Sequence, residues 1–355
     1  MKRAFLTLIF LSLTQLIFQA EAQNFSNVSR ISDSISLTGD GNWDYLSVDT
    51  INNRLFVTHS TTIHIVDLNT RKQIGTFENL KGAHAIAFAY GLNKGFFTTG
   101  KDSSLVIFDL LTLKPTATLK IPGKDPNAIV FEQHSGRVFI FNSGSNTATV
   151  LDAASEKIIG SIYLDGKPKS AVSDGKGNVY VTIENIFLVD MINTETLKID
   201  ARWSVTPGDN PGGIAIDTAN RRLFIGCGNS KMVIMDADLG NIIQTMNTDY
   251  GTDAVVWDPE FKRVYSSNGD GTLTIIQEIS RDRYIVLDNI KTRKGARTTA
   301  LDPKTHSLYI PMAEMGPAPK PSIDNSRQRP GLKAGTFKVL VISNAGKTTN
   351  AQEKK

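Results

Sequence analysis

Leu55-Phe56-Val57-Thr58-His59, then Ile63-His64-Ile65-Val66-Asp67, then Lys72-Gln73-Ile74-Gly75-Thr76: these three runs decide the fold. Each is five residues long, rich in β-branched and aromatic residues, and each is separated from the next by a polar turn. That pattern reads as short strands of an antiparallel sheet. Working outward, the aliphatic-aromatic anchor recurs at Phe56, Phe97, Phe139, Tyr180, Phe224, Tyr265 and Tyr309, at intervals of 41, 42, 41, 44, 41 and 44 residues. The second run recurs with it, at Leu105–Asp109, Ala148–Asp152, Ile186–Asp190, Met232–Asp236 and Leu273–Gln277, and, displaced, at Phe337–Ser343. No sustained 3.6-residue periodicity interrupts the pattern.

Seven units of about forty-two residues with four strands each predict an all-β, single-domain, seven-bladed β-propeller. One four-stranded sheet cannot bury both faces alone, but a ring of sheets buries every face between neighbours. The seventh unit lacks a convincing fourth strand, while Val28–Leu37 precedes the first unit. This N-terminal segment is expected to complete blade seven and close the ring.

Composition narrows the function classes. The chain has 355 residues, 40% hydrophobic and 21% charged, with a net charge of +4. That excludes a disordered or collagenous chain, and the small net charge gives no general affinity for polyanions. The one cysteine, Cys227, can form neither an internal disulfide nor a cysteine-rich zinc site. Met1-Lys2-Arg3, the apolar run Ala4–Phe18 and Ala20-Glu21-Ala22 read as a signal peptide over residues 1–22, cleaved near Ala22. The run is too short to span a bilayer. The expected product is a periplasmic or secreted monomer with the propeller over residues 23–345 and a disordered tail over 346–355.

Tyr180-Val181-Thr182, Leu223-Phe224-Ile225-Gly226 and Val264-Tyr265-Ser266-Ser267-Asn268, with the opening run, resemble the Y-V-T-N signature of the YVTN β-propeller repeat family. The chain is similar to the exported YncE-like propellers over about 320 residues. The resemblance implies a seven-bladed disc, with nucleic-acid binding in some relatives only. Ile183 stands where the fourth signature residue would be Asn, one of several departures from the signature.

Repeat register exposes a candidate site that sequence distance hides. The residues just ahead of each innermost strand are Asp44, His84, Asn127, Lys169, Gly212, Asp253 and Arg297, and they should converge on one channel mouth. A second tier at the ends of the second strands comprises His59, Gly100, Asn142, Ile183, Cys227, Asn268 and Met312, with Glu314 beyond. Two imidazoles, carboxylates and cations together could bind a ligand, hold a divalent metal or move protons. No cofactor is required by the sequence. His134 and His306 fall in turns of the opposite face and are expected to be solvent-exposed.

Residues 312–335 interrupt blade seven with a Pro-rich insertion, including Arg327 and Arg329, read as a lid or rim above the channel. Residues 281–338 hold 12 basic and 5 acidic side chains, which suggests a local anionic partner: a small molecule, a glycan or single-stranded nucleic acid. Aromatic residues are sparse there, against the interleaved rings of single-strand binders. The expected function is a ligand- or partner-binding platform. The alternative is a lactonase-like hydrolase or lyase with a metal or His/carboxylate centre at the mouth.

Overall fold

The computed structural model describes residues 29–39, 41–316 and 331–344. Residues 1–22, expected to be a signal peptide, the tail beyond Asn344 and the centre of the insertion, Arg327 and Arg329 included, lie outside them.

Among the described residues, twenty-eight strands form seven four-stranded antiparallel sheets. Six use four consecutive strands, blade one running over residues 43–77 and blade six over residues 252–291. The seventh is composite. Its three strands Ala300–Asp302, Ser307–Met312 and Lys338–Ser343 are completed by Arg30–Ser36 from the other end of the chain. Arg30 lies opposite Ser343 and Ser36 opposite Lys338, so the N-terminal segment closes the ring.

The core is not central. Among the described residues it divides into seven apolar clusters, one at each interface between adjacent blades. The second strand of each blade is buried on both faces, and its third residue points into the next interface: Phe56, Phe139, Tyr180, Phe224, Tyr265 and Tyr309. Blade two corrects the sequence register. Lys94 pairs with Asp109 as Arg54 pairs with Asp67, which makes Phe96 the equivalent anchor. Phe97 points back toward blade one. Two adjacent phenylalanines gave the sequence no means of choosing between them.

Innermost strands start at Trp43, Ala83, Pro126, Pro168, Pro211 and Thr252. The predicted ring therefore occupies their second residues, one step inside the strands. Only Arg297 stands ahead of its strand, in the loop before Ala300. At the other end, the expected exposure holds for His134, but His306 is half-buried. Its Nδ1 meets Asp258 Oδ2 at 2.8 Å, and its ring stacks on Phe261. The turns of neighbouring blades lie side by side, which a sequence position cannot show.

Candidate functional site

Strand direction brings the first residues of all innermost strands to one face, where their side chains meet over the axis. Two polar assemblies form there. In the first, His84 Nδ1 lies 2.5 Å from Asp44 Oδ2, and its Nε2 lies 3.8 Å from Asp125 Oδ1. A single imidazole thus links blades one, two and three. A Cβ at Gly100 would lie 2.4 Å from His84 Nε2 and 2.9 Å from Asp125 Oδ1, so the absence of a side chain there is what leaves the imidazole its room. Burial presses the His84 pKa down, but the Asp44 hydrogen bond and the charges of Asp44 and Asp125 win, leaving it above 6.5.

The second assembly spans the axis. Lys169 Nζ lies 3.1 Å from Asp253 Oδ1, and Arg297 Nε donates to Asp253 Oδ2 at 2.8 Å. Tyr45 reaches from blade one to blade four, where its hydroxyl donates to the Lys169 carbonyl at 3.2 Å. Burial opposes the Lys169 charge, yet the negative charges of Asp253 and Asp44 outweigh it and hold the ammonium above its ordinary range. Burial raises the Tyr45 phenol, which stays neutral. Blade five offers only backbone here: a Cβ on Gly212 would lie 2.5 Å from the Thr252 carbonyl oxygen. Asn127 is half-buried, and its side-chain oxygen is buried without a hydrogen-bond partner among the described residues.

The mouth is therefore crossed by paired charges. Beneath it lies an axial cavity of about 160 Å³ lined in part by Tyr45, Ala85, Ala128, Ser170 and Thr299. Among the described residues, no group of three or more His, Cys, Asp or Glu side chains could hold a metal ion.

Gly100 aside, the second tier does not open onto this mouth. His59 is 2% exposed. It stacks on Phe337 with ring centroids 3.8 Å apart, donates from Nε2 to the Gly41 carbonyl and faces His64. Asn268 is fully buried and bonds to Thr252, Thr272 and Thr274. Cys227 is also buried, which pushes its thiol up to about 12 and suppresses the thiolate. The tier fails as a rim because the segments entering each blade fold over the ends of its second strand. Glu314 is exposed and meets Lys333 Nζ at 3.2 Å. The described base of the insertion continues the blade-seven hairpin, with Met315 bridged to Leu332.

Sequence reasoning missed Tyr45 and Asp125. Asp125 stands two residues before Asn127 in the loop leading into the strand, at a positive φ of 53°, so a ring counted strictly by register skips it. Tyr45 alternates away from Asp44, but the register shift between Trp43 and Leu46 breaks simple alternation. The basic stretch also divides. Arg281 and Arg283 sit at one end of the nine-residue strand Arg283–Lys291, and Arg293, Lys294 and Arg297 follow its other end. Roughly 30 Å of strand separates the two groups.

These features define a seven-bladed β-propeller scaffold with a charge-bridged mouth. No protein-family model matches the chain. It is 22% identical over 211 residues to the uncharacterized protein YncE of Salmonella typhi, and equally to that of Salmonella typhimurium. Each match covers 56% of this chain and 58% of the relative, so the likeness spans little more than half the length of either. Together the seven-bladed ring and this weak homology support a YncE-like propeller family for the chain. Solved structures with the same fold include one titled for the mitotic checkpoint complex, with TM-score 0.71, 11% identity, and coverage of 88% of this chain and 91% of the other. Structures of U3-55K and of the RRP9 WD40 repeats both have TM-scores of 0.72, with 7% and 8% identity, covering 89% of this chain and 98% of each. Likeness at such low identity is a likeness of fold.

Proposed function

We propose that the mouth face is a binding platform for an anionic ligand or for an anionic patch on a partner. The observation behind this reading is Arg297. Its side chain is 47% exposed and engages Asp253 through Nε, while its terminal nitrogens have no partner among the described residues. Arg293 and Lys294, exposed in the same loop, have no ion pair among the described residues either. A guanidinium with one edge anchored and the other open is pre-oriented for a carboxylate or phosphate, and the neighbouring cations add attraction at the rim. WD40-like neighbours of the same fold fit a scaffold role. Export after cleavage near Ala22 belongs to the same proposal. A mature protein whose mass includes Met1 would count against it.

The test is salt-dependent retention on an immobilised polyanion. The wild type should be retained and released by salt, and a variant with Arg293, Lys294 and Arg297 changed to Ala should elute at clearly lower salt. Equal elution of the two would overturn the reading. One observation favours a second reading: the short His84–Asp44 contact suits acid–base chemistry. Lactone hydrolysis that is lost in His84→Ala would replace the platform with an enzyme.

A further inference from the structure

One side chain near Arg297 breaks the pattern of the mouth. Tyr250 is 68% exposed and stands two residues ahead of the innermost strand of blade six. Its equivalents in the other blades are Gly41, Lys81, Lys124, Gly166, Asp209 and Lys294. Each of those is a glycine or a charged residue, so Tyr250 is the sole aromatic ring of this outer circle. Main-chain bonds fix its place. The Tyr250 carbonyl accepts from Asp270 N–H at 3.3 Å, the Asp270 carboxylate accepts from Tyr250 N–H at 3.2 Å, and the Gly251 carbonyl accepts from Gly269 N–H at 2.9 Å. A Cβ on Gly269 would lie 4.0 Å from Arg297 Cβ. The exposed phenol, the Asp270 carboxylate and the open guanidinium therefore border one patch of the mouth face.

Each of these groups selects a different part of a ligand. The open edge of Arg297 takes a carboxylate. The Tyr250 ring offers a flat apolar face with a polar tip, which rewards a ligand that brings apolar surface of its own. Asp270 accepts from Tyr250 N–H and from the Thr272 hydroxyl and keeps lone pairs for further hydroxyl donors. Asp249, on the other side of Tyr250, is half-buried and accepts from Asn289. Two carboxylates flanking the ring repel the successive phosphates of a nucleic-acid strand, whereas ligand hydroxyls donate to them. A plain dicarboxylate would leave Tyr250 and Asp270 unused, and a neutral sugar would leave Arg297 unused. Resting on the anion-binding reading of this face, we propose that its ligand is an acidic carbohydrate. The carboxylate of a uronic acid sits on Arg297, a C–H face of its pyranose ring lies on Tyr250, and a ring hydroxyl donates to Asp270.

Titration calorimetry on the whole protein tests this with four probes: digalacturonate, galactose, succinate and octathymidylate. Digalacturonate should bind more tightly than each of the others. Tyr250→Ala should weaken it about tenfold, while Tyr250→Phe, which keeps the ring, should not. Arg297→Ala should abolish it. Because Tyr250 is exposed and uncharged, Tyr250→Ala should leave the melting temperature and the retention on a polyanion unchanged. Salt-sensitive retention combined with digalacturonate bound no better than succinate, or bound equally by Tyr250→Ala, would overturn the carbohydrate and leave the anion reading standing. Tighter binding of octathymidylate, lost in Tyr250→Ala, would overturn it in favour of a nucleic-acid strand. Loss of both digalacturonate binding and salt-sensitive retention in the wild type would overturn the two readings together.

Discussion

Two histidines carry opposite pH dependences. His84 is held above 6.5 because the Asp44 bond and the charges of Asp44 and Asp125 outweigh its burial. Its contribution to stability is therefore complete below pH 6.5 and fades as the pH rises through its folded-state pKa. His64 is the reverse. Burial lowers its pKa against the opposing pull of Gln73 and Glu78, so its contribution is complete above pH 6.5 and fades as the pH falls. Thermal melting across pH 5–8 should resolve both. His64→Gln should lose less stability than the wild type between pH 7 and 5, and His84→Gln should lose less between pH 6.5 and 8. Parallel curves for all three proteins would refute the assignment. The register made His84 conspicuous in the sequence. His64 was not, because part of its cover comes from Phe337, which only ring closure brings to blade one.

Turns repeat as faithfully as strands, and one conformation recurs in them. Asn53, Asn93, Gly136, Gly177, Arg221, Lys262 and His306 all have positive φ at equivalent places before the second strand. Acidic side chains at the ends of the innermost strands brace most of these turns: Asp49 accepts from Asn52 N–H, Glu132 from His134 and Ser135, and Asp258 from Glu260 and Phe261. Such local bonds stand in for the ladder where it ends. Blade two has Ala89 at this position and instead makes a 3₁₀ turn over Tyr90–Leu92, after which Asn93 bonds to Asp109. The same blade matches a missing side chain to a large one. A Cβ on Gly95 would lie 2.1 Å from Phe108 Cζ, and that ring is packed against Phe56, Phe77 and Phe97. Gly95→Ala should therefore destabilise the protein by about 1–3 kcal/mol, read as a lowered midpoint in urea. An unchanged midpoint would show that Phe108 can move.

Ring closure governs the whole molecule. Arg30–Ser36 covers the outer edge of Lys338–Ser343 and carries Ile35, which with Leu37 joins the cluster of Trp43, Tyr309 and Phe337 between blades seven and one. Deleting residues 1–37 removes those apolar contacts and leaves a strand edge unpaired, which invites pairing with another chain. The truncated protein should melt several degrees lower, lose its single cooperative transition and self-associate. Calorimetry and gel filtration would show this. An equally stable, monodisperse truncated protein would mean that the latch is dispensable. Among the described residues, no helix is long and apolar enough to cross a membrane.

Composition and periodicity alone determined the seven blades, the closing strand and the convergence of Asp44, His84, Lys169, Asp253 and Arg297. A repeated unit must bury the same faces each time, so its register is written into every copy. The pairing within that convergence was decided by tertiary structure. Tyr45 crosses from blade one to blade four, Asp125 joins His84 through the gap left at Gly100, and His59 disappears beneath Phe337. These contacts join residues from different blades or from opposite ends of the chain. Their geometry depends on how the ring shuts and where bulges turn a side chain, and neither leaves a period in the sequence.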